Sequence, residues 1–103
     1  MNERKSFYDV ASFYANKAVL AASYNGMRYR VERGENEGEE VLLATVWPEP
    51  YCYERTPEEK KERQFFVFTD AGLDEAYEWI CGRYTERENE WNKVKAIYES
   101  KGR

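Results

Sequence analysis

Histidine is absent from these 103 residues. That removes Ser-His and Cys-His nucleophile pairs and most zinc and non-haem iron sites. Cysteine is scarce: Cys52 and Cys81 stand far apart, with no CxxC pair. Cys52 has no cationic neighbour to favour its thiolate, and Glu49 and Glu54 beside it act in the opposite sense. Cys81, next to Ile80, reads as core packing. Met1-Asn2-Glu3-Arg4-Lys5 leads into an amphipathic stretch rather than an apolar signal region, so the thiols are expected reduced and the protein cytoplasmic. No run approaches the roughly 20 apolar residues that span a bilayer, and no membrane partner is expected. Gly34 and Gly38 are flanked by glutamates that would repel a phosphate, which argues against a nucleotide or acyl-CoA cradle. Glu35, Glu37 and Glu39 do not follow the ligand order of a calcium loop. No metal, no cofactor and no catalytic residue is expected.

What is present begins with Val41-Leu42-Leu43-Ala44-Thr45-Val46-Trp47. It is uncharged, rich in β-branched and aromatic residues, and free of helix breakers. Such a run reads as a strand. Its apolar residues do not alternate with polar ones, so both faces are expected to be covered, as in the middle of a sheet. The remaining elements are placed around it. Residues 6–18 read as an N-terminal helix capped by Ser6, with Phe7, Val10, Ala11 and Tyr14 on one face. Residues 18–24 read as a strand, and Asn25-Gly26 as a tight hairpin turn. Met27, Tyr29 and Val31 then alternate with Arg28, Arg30 and Glu32, the first set facing in. Gly34 to Glu39 reads as a charged loop. All three prolines fall between residues 48 and 57 and stiffen that connection. Thr56 is expected to cap a helical turn that has Pro57 first and Glu58 and Glu59 next. Gln64–Phe68 reads as a fourth strand or a core plug. From Asp70 onward Leu73, Tyr77, Ile80, Tyr84, Arg87, Trp91, Val94 and Tyr98 recur at helical spacing. A continuous helix of that length would span about 45 Å. A break or a protruding end is therefore expected, with Gly82 a weak point and Thr85/Glu88 spaced as a capping box for a second helix. The expectation is one α+β domain over residues 1–103: an N-terminal helix, a three- to four-stranded antiparallel sheet, and a long or broken C-terminal helix packed on one face.

The net charge of −4 is uneven: residues 1–34 carry +3, residues 35–62 carry −6 and residues 63–103 carry −1. An acidic chain is a poor ligand for nucleic acid, whose phosphates need cations, so direct nucleic-acid binding is not expected. A cationic protein surface suits it better. The expected partner-binding residues are therefore Glu35, Glu37, Glu39, Glu40, Glu49, Glu54, Glu58 and Glu59 for charge, with Trp47, Tyr51 and Tyr53 as rigid ring anchors. The plainer reading of the same residues is a solvated loop. An alternative nucleic-acid contact would use Arg28, Arg30 and Arg33.

Three stretches carry a resemblance. Ser6-Phe7-Tyr8-Asp9-Val10-Ala11-Ser12-Phe13-Tyr14, Tyr24-Asn25-Gly26-Met27-Arg28-Tyr29-Arg30 and Ala44-Thr45-Val46-Trp47-Pro48-Glu49-Pro50-Tyr51 resemble small acidic proteins of mobile elements in gut Firmicutes. Some proteins of that origin are type II-A anti-CRISPR proteins. The resemblance implies a non-enzymatic inhibitor of a bacterial RNA-guided nuclease, whose arginines and cationic channels would receive the carboxylates. The rival expectation is an accessory interaction module of a mobile element with no inhibitory role.

Overall fold

The computed structural model describes residues 2–48, 53–91 and 93. Four antiparallel strands lie in the order β1-β2-β3-β4, each beside its neighbour in sequence. They are β1 (Leu20–Tyr24), β2 (Met27–Asn36), β3 (Glu39–Pro48) and β4 (Glu62–Val67). One α-helix, α1 (Asp70–Glu86), covers one face. The α+β architecture expected from the sequence is the one observed.

The uncharged run lies in β3, one of the two central strands. Leu42, Ala44 and Val46 are 0% exposed and point at α1. Met27, Tyr29 and Val31 of β2 join them on that inner face, as their alternation with charged residues predicts. Leu73, Ala76, Ile80 and Tyr84 supply the helix side of the core. Both are the residues that period-2 and period-3.6 patterns select. Thr69 caps α1 by accepting a 3.0 Å bond from Gly72 N–H.

Three local expectations are corrected. Residues 6–18 are not one α-helix but two 3₁₀ turns, Arg4–Phe7 and Tyr14–Asn16, and Ser6 lies inside the first. The backbone bonds of this segment do not keep one ladder: Phe13 N–H reaches the Asp9 carbonyl four residues back, Ala15 N–H the Val10 carbonyl five back and Asn16 N–H the Phe13 carbonyl three back. Tyr8 and Lys17 also take φ of 66°, which stops helix propagation at each. Phe7, Val10 and Tyr14 are nonetheless buried, whereas Ala11 is exposed. The Tyr14 hydroxyl reaches the Phe7 carbonyl at 2.8 Å. The expected loop from Gly34 to Glu39 is mostly strand, closed by a two-residue turn at Glu37-Gly38 with φ of 55° and 84°. Asn25-Gly26, with φ of 44° and 94°, turns in the same primed way. Thr56 is buried, and Pro57 rather than Thr56 occupies the cap position of the turn Glu58–Lys60.

The C-terminal helix does break, at Arg87 rather than Gly82, and residues 88–91 are helical again. Thr85 remains inside α1, its hydroxyl donating to the Cys81 carbonyl at 3.0 Å. Arg87 covers the Trp91 ring at 4.4 Å. Val94 and Tyr98 lie outside the described residues, as does Cys52.

Candidate functional site

The outer face of the sheet, away from α1, is set by strand parity. Its cross-strand rows are Ser23–Arg28–Trp47, then Ala21–Arg30–Thr45–Arg63, then Glu32–Leu43–Phe65, then Gly34–Val41–Val67. The face is thus cationic toward the Trp47 end and apolar toward the hairpin end. Phe65 is 44% and Val67 64% exposed. The expected cover over this side of β3 exists at Thr45 and Trp47, while Val41 and Leu43 remain half-buried.

The acidic residues do not form one surface. Glu35, Glu37, Glu39 and Glu40 gather at the tip of the β2–β3 hairpin, beyond the last pairs of β1 and β4. Glu54, Glu58 and Glu59 belong to the connection at the opposite end of β3. Ten strand residues separate the two groups by about 30 Å. Glu49 and Tyr51 lie outside the described residues; Tyr53 begins the turn Tyr53–Arg55. Trp47 is 4% exposed, so its ring walls the sheet and is no exposed anchor.

Local pairing sorts the carboxylates further. Glu40 meets Arg33 at 2.7 Å. Glu58 is held by Arg63 through both guanidinium nitrogens and by Lys61 at 3.4 Å. The Arg63 bonds bring its carboxyl down to about pKa 2, well below the usual range. Glu35, Glu37 and Glu39 are exposed and make no ion pair among the described residues. The hairpin tip is where unneutralised negative charge concentrates.

The arginines divide as well. Arg28 and Arg30 share the outer face, but Arg33 lies at the opposite parity, level with Leu42. The three therefore do not make a stripe. Arg30 is paired with Glu32 at 2.8 Å. Simple alternation from Arg28 would have placed Arg33 on the other face. The Glu37-Gly38 turn also had a signal, a glycine in the second position of a two-residue connection, but like charges around it suggest a loop.

A cleft of ≈ 430 Å³ is lined by Pro48, Glu59, Lys60, Glu62, Arg87 and Glu90. Within it Arg87 lies 2.9 Å from both Glu62 and Glu90. It fastens the end of α1 to β4 and brings together no nucleophile and base. Among the described residues no group of three or more acidic or thiol side chains is placed to hold a metal. No helix among them is long and apolar enough to cross a membrane. Compared with family models, curated proteins and solved structures, the chain matches none.

Proposed function

We propose that this α+β domain acts by binding, and that its β2–β3 hairpin tip is an anionic finger for a cationic groove on a nucleic-acid enzyme. The particular target we propose is a bacterial type II RNA-guided nuclease. The observation that carries the reading is the tip itself. Three exposed carboxylates, Glu35, Glu37 and Glu39, stand at a two-residue turn and the strand ends beside it without a neutralising partner among the described residues. Glutamate at position 37 takes a left-handed backbone, φ 55°, which favours glycine or asparagine. Arginines that read a duplex motif or line a heteroduplex channel are suitable counter-charges. The nuclease in particular is supported by the sequence resemblance, the finger by the geometry.

The test is DNA cleavage by a purified type II nuclease–guide complex with the protein added. Cleavage should fall. Replacing Glu35, Glu37 and Glu39 together by lysine should weaken inhibition at least about tenfold, and added salt should weaken it in the native protein. Full cleavage at saturating protein would end the nuclease reading. Inhibition unchanged in the triple variant would end the finger.

A further inference from the structure

Arg28 is a half-buried cation without a counter-ion among the described residues. Arg4, Arg30, Arg33, Arg63, Arg83 and Arg87 each face a carboxylate within 4 Å. Arg28 faces none among the described residues, and its Nε is buried with no hydrogen-bond partner. A guanidinium taken partly out of water without an anion is unfavourable, and removing water from a donor costs free energy that a bond would recover. The arginine borders a shallow cleft of ≈ 250 Å³ lined by Ala21, Ala22, Ser23, Tyr29 and Trp47.

The cleft runs along a free sheet edge. Tyr24 and Met27 flank a two-residue turn, so they exchange both backbone bonds; Ala22–Tyr29 and Leu20–Val31 do likewise by alternation. Ala21 and Ser23 therefore turn their N–H and C=O groups away from β2. The Ser23 carbonyl accepts a 3.3 Å bond from the Asn2 amide. Among the described residues nothing bonds the Ala21 groups or the Ser23 N–H, which are left for an added strand. Both side chains are small and exposed, so Arg28 can extend over them toward the edge.

We propose that β1 accepts an extended acidic peptide as a fifth strand, with a glutamate or aspartate carboxylate of that peptide bound by Arg28. Charge complementarity selects the carboxylate. Unpaired edge groups select a strand. Nucleic acid fits less well: Trp47 and Tyr29 are 4% and 1% exposed and offer no open ring on which a base could stack. This surface lies at the Trp47 end of the sheet, away from the hairpin tip, and does not depend on what the tip binds.

The probe is an acetylated, dye-labelled heptapeptide of alternating serine and valine with one central glutamate, compared with its glutamine twin. Polarisation gives affinity, and amide shifts of the isotope-labelled protein give location. The glutamate peptide should bind at least about tenfold more tightly than its twin, and it should shift and slow exchange of the Ala21 and Ser23 amides. Arg28→Gln should abolish the difference while leaving the melting temperature within a few degrees. Ala21→Pro removes only an outward N–H and should weaken both peptides. Equal affinity of the two peptides, no binding up to millimolar concentration, or shifts elsewhere would overturn the proposal. Displacement of the bound peptide by an equally long oligothymidylate at lower concentration would also overturn it, in favour of a nucleic-acid surface.

Discussion

Gly72 lies so close to the Val67 backbone that a Cβ at position 72 would stand 1.9 Å from the Val67 carbonyl oxygen. The first turn of α1 thus rests directly on the end of β4. The same carbonyl accepts from Thr69 N–H at 2.8 Å, which fixes the corner between strand and helix. Gly72→Ala should destabilise the protein by roughly 2–3 kcal/mol, because backbone rather than a flexible side chain would have to move. Intrinsic helix propensity alone predicts the opposite sign, by about 1 kcal/mol. Chemical denaturation of the variant decides between them.

Glu58 gives a pH dependence with a definite sign. Its ordinary carboxyl value is 4.5, and Arg63 brings it to about 2 in the fold. The folded state therefore holds its proton less tightly than the unfolded chain. Its contribution is complete above about pH 4.5 and is lost as pH falls toward 2. Melting temperature measured from pH 5 to pH 2 should fall less steeply in Glu58→Gln than in the native protein. The side chain is 70% exposed, so high salt should narrow the difference.

Thr45 lies between Arg30 and Arg63 on the outer face, 0% exposed, and its hydroxyl has no hydrogen-bond partner among the described residues. Thr45→Val keeps the branched shape and removes the unsatisfied group. It should stabilise the protein by about 1 kcal/mol. A loss of stability in urea denaturation would show that the hydroxyl is bonded after all.

At the hairpin tip, stability and the proposed role pull in opposite directions. Glu37→Asn suits φ 55° better and should raise stability by about 0.5–1 kcal/mol. It removes one of the three exposed carboxylates that have no ion pair among the described residues, so inhibition of the nuclease should weaken in the same variant. Equal inhibition with higher stability would separate the turn from function.

Legibility in the chain followed the range of the forces. Met27, Tyr29 and Val31, and Leu73, Ile80 and Tyr84, announced their buried faces because each pattern repeats with the period of one element. Asn25-Gly26 announced its turn because two adjacent residues tolerate positive φ. The segment from Ser6 to Tyr14 misled because its spacing is helical, while Tyr8 takes a positive φ and the backbone bonds that follow switch between three, four and five residues back.

Composition and local pattern by themselves determined the α+β class, the buried strand at the centre and the acidic middle third. Only the tertiary arrangement decided which charges act together. Eight described glutamates close in sequence were divided between opposite ends of β3 because a strand carries its ends apart. Arg63 neutralised Glu58 and Arg33 neutralised Glu40, whereas Arg28 was left facing a cleft with no anion among the described residues. Coulomb pairing depends on distance in space, and strand register, set by contacts between strands, assigns that distance.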